Sequence, residues 1–169
     1  MAKNKIKAVL AGAELAPLVK VGGLGDVMGS LPKALAKLGA DVSVFLPLYG
    51  SINRKKYKIK LLKKSLMINI SSGGEKFDIY FAKLPRSNVK IFLISHKLFS
   101  GKDIYSANRK YFNKGNYNSK NRRYSRSTSD IERFVFFSKA VVESIRALKL
   151  KPSLLHCHDW HTALIPTFI

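Results

Sequence analysis

The chain has 169 residues, a formal net charge of +21 and a hydrophobic share of 46%. This length and apolar share exclude a disordered chain and fit one domain around a single buried core. The one cysteine, Cys157, excludes an internal disulfide, and we expect a reducing, cytoplasmic location.

Membrane contact is not expected from the sequence. No stretch approaches the roughly 18 apolar residues that a membrane span requires. The basic start and the short apolar run up to Ala13 resemble a secretory signal, but Glu14 and Pro17 interrupt that run. We therefore expect no cleavable leader.

The positive charge is concentrated in the middle of the chain. Residues 50–126 carry 20 Lys and Arg against three Asp and Glu, a net charge of +17. Such a surface can attract nucleic acid or an anionic membrane, or it can consist of solvated lysines that have no dedicated partner. We favour the second interpretation and expect no nucleic-acid partner, because no nucleic-acid-binding motif accompanies the charge.

The first 46 residues are predicted to form a strand, a helix and a second strand. Residues 6–13 and 41–46 are short apolar runs typical of buried parallel strands. Residues 24–38 show a helical pattern that ends at Gly39. The predicted apolar face of this helix consists of Val27, Leu31, Leu35 and Leu38. Together these elements predict a βαβ unit.

The next part of the chain is predicted to be β-rich and then irregular. Four β-like runs lie at 57–62, 66–70, 77–82 and 89–94, and the turn signal Ser71-Ser-Gly-Gly74 separates two of them. We expect part of this region to be a hairpin appended to the main sheet. Residues 100–127 are rich in Asn, Ser, Lys, Arg and Tyr, which predicts a long basic surface loop.

A second helix and a further strand are predicted near the C-terminus. Ser129-Asp-Ile-Glu132 is typical of a capping box and begins an amphipathic pattern over 130–149. Residues 153–157 follow as a buried strand, and an apolar helical pattern then reaches Ile169 without a stop signal, so we expect a truncated C-terminal end. The predicted class is α/β: one domain over 1–169, with a Rossmann-like, mostly parallel sheet flanked by helices.

A glycine-rich segment, Lys20-Val-Gly-Gly-Leu-Gly-Asp26, joins the first strand to the first helix. Its glycines let the backbone approach a ligand, and amide groups at a helix N-terminus favour phosphate. Lys20 could neutralise that phosphate. The spacing departs from the dinucleotide fingerprint by one residue, so a turn that only packs the helix onto the sheet remains an equal alternative.

A second candidate segment, His156-Cys-His-Asp-Trp-His161, follows the last predicted strand, where open α/β sheets place ligand sites. Its spacing matches no zinc pattern, so a sugar or phosphate site is favoured over a metal site. Asp159 is best placed to accept hydrogen bonds from sugar hydroxyls. The alternative is structural: His156 and Cys157 would be core residues, and Trp160 would pack.

Both segments resemble those of the family 5 glycosyltransferases, the bacterial and plant starch and glycogen synthases. Leu31-Pro-Lys-Ala-Leu35, Val44-Phe-Leu-Pro47 and Arg133-Phe-Val-Phe-Phe-Ser138 extend the resemblance over nearly the whole chain. Members of this family have two Rossmann-like domains facing across a cleft, the GT-B architecture. They transfer glucose from ADP-glucose to the non-reducing end of an α-1,4-glucan, with retention and without a metal or cofactor.

The resemblance implies a role for each matching residue on the donor side. Lys20 would contact the donor phosphate, and Gly22 and Gly23 would give the donor access to the backbone. Asp26 closes the same motif and would have a ligand-binding or structural role.

On the catalytic and acceptor side, the resemblance implies that Asp159 holds the transferred sugar or stabilises positive charge at its anomeric carbon. Tyr105 and His161 would contact the glucan acceptor.

The resemblance also implies parts that these 169 residues lack. A motif with a catalytic histidine, and a second domain with the nucleotide pocket, an Arg/Lys pair and a glutamate, would follow residue 169. We therefore expect this polypeptide alone to be inactive and a separate C-terminal half to be a possible partner. A non-catalytic glucan-binding or regulatory remnant is the alternative, and the preference for ADP- or UDP-glucose stays open.

Overall fold

The computed structural model describes residues 5–70, 73–105 and 130–169, so residues 106–127 of the predicted basic loop and Ser129 of the predicted capping box lie outside it. One mixed sheet has the strand order β3-β4-β5-β2-β1-β6. The strands are β1 Lys7–Ala11, β2 Asp41–Pro47, β3 Lys60–Ile70, β4 Gly73–Lys83, β5 Lys90–Ser95 and β6 Leu154–Cys157. Helix α1, Gly23–Lys37, connects β1 to β2, and helix α2, Asp130–Ala147, lies between β5 and β6.

Four strands, β5-β2-β1-β6, pair in parallel, which confirms the Rossmann-like fold. The chain passes from β1 through α1 to β2 and then β5, and α2 leads it back to β6 on the other side of β1. Crossovers between parallel strands are right-handed as a rule, and these two run in opposite directions, so we expect α1 and α2 on opposite faces of the sheet. The direction of winding reverses between β1 and β6, and open α/β sheets bind ligands at such a switch point.

An antiparallel hairpin, β3 and β4, extends the sheet beyond β5, as predicted. The two runs predicted at 57–62 and 66–70 belong largely to one long strand, which two register shifts bend. This strand is at the edge of the sheet, and Lys60, Lys63 and Lys64 on it are exposed. Lysines on an edge strand oppose pairing with other chains, which gives part of the basic segment a structural explanation.

Helix α1 has the predicted position, but only half of the predicted apolar face packs against the core, namely Leu31 and Leu35. Its buried residues are Gly25, Met28, Gly29 and Pro32, whereas Val27 and Leu38 are 47% and 85% exposed. A Cβ at Gly29 would lie 2.7 Å from the Ala16 carbonyl oxygen. The helix approaches the preceding segment so closely that only glycine fits at position 29, and the buried face is centred on Met28 and Pro32 beside the glycines.

The end of the chain also differs from the prediction. The strand predicted to be buried at 153–157 is β6, which lies at the edge of the sheet and has no buried residue. Helix α2 is confirmed, but the helix expected after His161 consists of two short 3-10 turns, Trp160–Thr162 and Ile165–Phe168. Pro166 has no N–H group to continue an α-helix from the first turn into the second. Across the three described ranges, no helix has the length and hydrophobicity needed to cross a membrane.

Candidate functional site

The two candidate segments leave neighbouring strands and meet at the carboxyl ends of the parallel sheet. The glycine-rich segment follows β1, and the segment from His156 to His161 follows β6, which pairs with β1. The pairing continues one step past the strands, because the His158 amide donates to the Ala11 carbonyl at 3.0 Å. Both segments therefore lie at the switch point, where a ligand can contact them together.

Glu14 connects the glycine-rich segment to the predicted acceptor residue. Its side chain is only 3% exposed, and its Oε2 accepts hydrogen bonds from the amides of Val21 at 2.8 Å and Gly22 at 2.9 Å. Its Oε1 accepts from the Tyr105 hydroxyl at 2.7 Å. Burial alone would raise the pKa of this carboxyl, but the hydrogen bonds from Gly22, Val21 and Tyr105 outweigh it and hold the pKa below its ordinary value. Glu14 is therefore ionised at neutral pH.

In the sequence pattern, Glu14 stands out only as an interruption of an apolar run. A signal was present: an acidic residue stands three positions after a buried strand and just before a glycine-rich segment. Charged residues are rarely buried unless they are paired, so an acidic residue at this position indicates hydrogen bonds to its carboxylate.

The glycines of the segment divide into two kinds. A Cβ at Gly25 would lie 2.8 Å from Lys20 Cγ and 3.0 Å from Glu14 Oε2, so Gly25, like Gly29, is required for close packing. A Cβ at Gly22 or Gly23 would meet nothing within 4 Å. The packing alternative thus explains Gly25 and Gly29, whereas Gly22 and Gly23 border open space. The Gly22 amide itself is engaged by Glu14.

Lys20 and Asp26 form an ion pair across the start of α1. Lys20 Nζ lies 2.6 Å from Asp26 Oδ2, and the two side chains are 46% and 61% exposed. An exposed ion pair contributes at most about 1 kcal/mol, so an anionic ligand can compete with Asp26 for the ammonium group. Lys20 and Asp26, both predicted to bind the sugar donor, are thus paired at the first turn of α1. The same turn contains Gly23, where an added Cβ would meet nothing within 4 Å.

Asp159 projects from an unusual backbone position after β6. Its φ of 66° and ψ of 176° form a strained combination that is found almost only in glycine. Oδ1 accepts a hydrogen bond from the Trp160 amide at 2.6 Å, which caps the turn that follows. Oδ2 has no donor among the described residues, and the residue is exposed. One carboxylate oxygen is thus fixed and the other faces outward.

The predicted acceptor residues lie in an aromatic cluster. The ring of His161 lies 5.3 Å from that of Tyr105, 4.6 Å from that of Phe134 and 4.2 Å from that of Trp160, measured between centroids. His161 is 2% exposed, and neither of its ring nitrogens has a hydrogen-bond partner among the described residues. Burial lowers the pKa of His161, which favours the neutral imidazole. Burial and then Glu14 raise the pKa of Tyr105, so its hydroxyl stays protonated.

The first half of the His-rich segment is only partly buried. His156 is exposed, so the alternative that made it a core residue is wrong, whereas Cys157 is half-buried and packs against the core. The rings of His156 and His158 stack at 4.0 Å. Among the described residues, no three His, Cys, Asp or Glu side chains are grouped closely enough to hold a metal ion.

Arg133 fixes the segment that carries Tyr105. This buried residue of α2 donates hydrogen bonds to the carbonyls of Leu98 at 3.0 Å, Ile104 at 2.7 Å and Asp103 at 3.3 Å. It also pairs with Asp130 at 2.7 Å. The sequence pattern predicts no role for Arg133, although an arginine among the apolar positions of an amphipathic helix can be buried only with partners for its charge.

Comparison with known proteins shows the family of the chain. Residues 7–169 match the family model of the starch synthase catalytic domain. Glycogen synthase 1 of Geobacter metallireducens is 35% identical over 168 residues, which are 98% of this chain and 30% of that protein. A glycogen synthase of Hydrogenobaculum sp. is 37% identical over 163 residues, 96% of this chain and 30% of its own length.

A solved structure resembles the fold as well. The catalytic domain of Starch Synthase IV from Arabidopsis thaliana, bound to ADP and acarbose, aligns with a TM-score of 0.75 and 28% identity. The alignment covers 96% of this chain and 29% of that chain. The chain spans about 30% of the length of the curated relatives it matches. It belongs to the starch synthase catalytic domain family of glycosyltransferases, whose members include these glycogen synthases.

Proposed function

We propose that this chain is the N-terminal part of a starch or glycogen synthase, with residues 1–169 as one Rossmann-like domain. The reaction is transfer of glucose from ADP-glucose to the non-reducing end of an α-1,4-glucan with retention. One observation carries the proposal: the Lys20 segment and the Asp159 segment leave adjacent strands and meet at the switch point of the sheet.

The donor phosphate binds between Lys20 and the start of α1. Phosphate exchanges with Asp26 as the partner of the Lys20 ammonium group, because the existing ion pair is exposed and weak. The partial positive charge at the helix N-terminus adds to this attraction. Gly23 supports close approach, because even an added Cβ would meet nothing there.

The transferred glucose lies against Asp159. The outward Oδ2 accepts hydrogen bonds from sugar hydroxyls or stabilises positive charge as it develops at the anomeric carbon. The Trp160 amide holds Oδ1, so the carboxylate is oriented before the sugar arrives. An interaction that strengthens as charge develops favours the transition state over the bound substrate.

The glucan acceptor binds beside Tyr105 and His161. Aromatic faces and a few polar groups suit a sugar chain, whose rings present both apolar and hydroxyl-bearing surfaces. The starch synthase of known structure holds ADP and acarbose, an oligosaccharide analogue, which supports a nucleotide and a glucan as ligands. The exposed Trp160 extends this surface.

The test is glucose incorporation from ADP-glucose into glycogen, with UDP-glucose for comparison. The 169-residue chain is assayed alone and together with the C-terminal part of the Geobacter relative. We expect no turnover by the chain alone, because the nucleotide pocket is proposed to lie in a second domain, and recovery of turnover in the mixture. Lys20→Gln should abolish that recovery. Turnover by the chain alone would contradict the half-site proposal.

A second candidate is a non-catalytic glucan-binding or regulatory domain, favoured by the aromatic cluster around His161, which needs no nucleotide pocket. Co-sedimentation with glycogen that survives Lys20→Gln but not Tyr105→Phe, without turnover in any mixture, would support it. Absence of co-sedimentation would remove it.

A further inference from the structure

We infer that Glu14 is a positioning residue that couples the donor-side glycine segment, residues 20–26, to Tyr105 on the acceptor side. The identity of the two sides rests on the proposed function, but the coupling rests on contacts within the chain. Glu14 is 3% exposed and is therefore positioned to act through its neighbours, without touching substrate.

Both oxygens of the carboxylate are committed to these two sides. Oε2 holds the Val21 and Gly22 amides, and Oε1 holds the Tyr105 hydroxyl, which comes from a position 91 residues away. The three donors share one buried charge, and a hydrogen bond to a charged group is stronger than one between neutral groups. Loss of one donor therefore changes the position and the hydrogen bonding of the carboxylate that the others use.

The carboxylate cannot move without moving the glycine segment. Oε2 lies so close to Gly25 that a Cβ there would be 3.0 Å from it. The backbone on either side is also tied, because the Ala16 amide donates to the Gly25 carbonyl at 3.0 Å. A ligand that displaces residues 21–25 thus also displaces Glu14, and with it the partner of the Tyr105 hydroxyl.

The Tyr105 side is equally constrained. Arg133 holds the carbonyl of the preceding residue, Ile104, at 2.7 Å, so the local backbone is fixed to α2. The hydroxyl of Tyr105 is therefore the direct contact through which Glu14 affects this side. Hydrogen bonds to one carboxylate therefore link the amides of Val21 and Gly22 to Tyr105, whose ring belongs to the aromatic cluster.

Hydrogen exchange of the Val21 and Gly22 amides in the ligand-free chain tests the coupling directly. Tyr105→Phe removes only the hydroxyl, and we expect roughly tenfold faster exchange at both amides, although their hydrogen-bond partner is Glu14 and not Tyr105. Glu14→Gln should have at least as large an effect. Tyr80→Phe is the matched control, because the Tyr80 hydroxyl has no hydrogen bond among the described residues, and it should change exchange by less than about twofold. Unchanged exchange in Tyr105→Phe, or an equal change in Tyr80→Phe, would overturn the inference.

A second arm separates this inference from the proposed function. Acarbose added to the wild-type chain should slow exchange at Val21 and Gly22, and Glu14→Gln should abolish that effect. If acarbose does not bind the wild-type chain, the proposed acceptor role fails, while the ligand-free comparison still decides the coupling. If Glu14→Gln does not fold, Tyr105→Phe decides it, because Tyr105 is partly exposed and its ring is retained.

Discussion

The hydroxyl of Tyr105 donates a 2.7 Å hydrogen bond to the buried carboxylate of Glu14, which joins a segment after β5 to one after β1. The same carboxylate accepts from the amides at the start of the glycine-rich segment. The site at the switch point is thus held by an ionised group in its interior, and its stability depends on pH.

Glu14→Gln should destabilise the chain at neutral pH by roughly 1.5 to 3 kcal/mol, because charge-assisted hydrogen bonds are lost in a buried place. The folded-state pKa of Glu14 lies below its ordinary value of 4.5. Its contribution is therefore present above pH 4.5 and is lost as pH falls through the folded-state pKa. Urea unfolding at a series of pH values should show wild type and variant converging in acid. A difference that does not vary with pH would contradict this, and Glu143→Gln on α2 is the control.

Asp159→Asn should separate binding from stability. Asparagine keeps an acceptor for the Trp160 amide and has the same size and branching as aspartate, so the backbone strain is unchanged and the free energy of unfolding should change by less than about 0.5 kcal/mol. Binding of a malto-oligosaccharide, measured by calorimetry, should weaken roughly tenfold, because the outward carboxylate oxygen loses its charge. Unchanged affinity would remove Asp159 from the sugar site.

Two glycine substitutions should have opposite effects on stability. Gly29→Ala places a Cβ 2.7 Å from the Ala16 carbonyl and should cost about 1 to 3 kcal/mol, because neither backbone can yield easily. Gly23→Ala meets open space in the first turn of α1 and should be neutral or stabilising by up to about 1 kcal/mol. Thermal unfolding compares them. Equal losses would contradict the division of the glycines into two kinds.

Arg133→Met should lower the free energy of unfolding by about 3 to 5 kcal/mol. The substitution removes a buried guanidinium and with it an ion pair to Asp130 and hydrogen bonds to three backbone carbonyls. Arg146→Met removes an exposed arginine from the same helix and should change the free energy of unfolding by less than about 0.5 kcal/mol. Similar losses in the two variants, measured by urea unfolding, would show that Arg133 does not hold the Tyr105 segment.

The sequence predicted the parallel core because its strands are short apolar runs, and tertiary contacts did not override that local pattern. The predictions from the sequence were wrong where a structural feature depends on contacts between segments that are distant in the chain. The face of α1 follows the approach of Gly29 to Ala16, and hydrophobic spacing contains no such information. At 160–169 the apolar pattern was read as a helix, although Pro166 cannot continue one.

The sequence predicts candidate site residues, but it does not predict the hydrogen bonds that join them. The segments around Lys20 and Asp159 can be found from the sequence because both follow predicted strands and carry specific motifs. Glu14 and Arg133 were missed as site residues because each is explained by partners far away in sequence, the Tyr105 hydroxyl and the carbonyls of residues 98–104. Buried ion and hydrogen-bond networks of this kind leave only a weak signal, an isolated charge in an apolar context.

Titration of the chain with acarbose, followed by the fluorescence of Trp160, tests most directly whether the switch point is a sugar site. Trp160 is the single tryptophan and lies 4.2 Å from the His161 ring, so its emission reports on this cluster alone. We predict a saturable change that Tyr105→Phe and Asp159→Asn weaken and that Tyr80→Phe does not. No saturable change in the wild-type chain, or one that both site variants leave intact, would contradict the account.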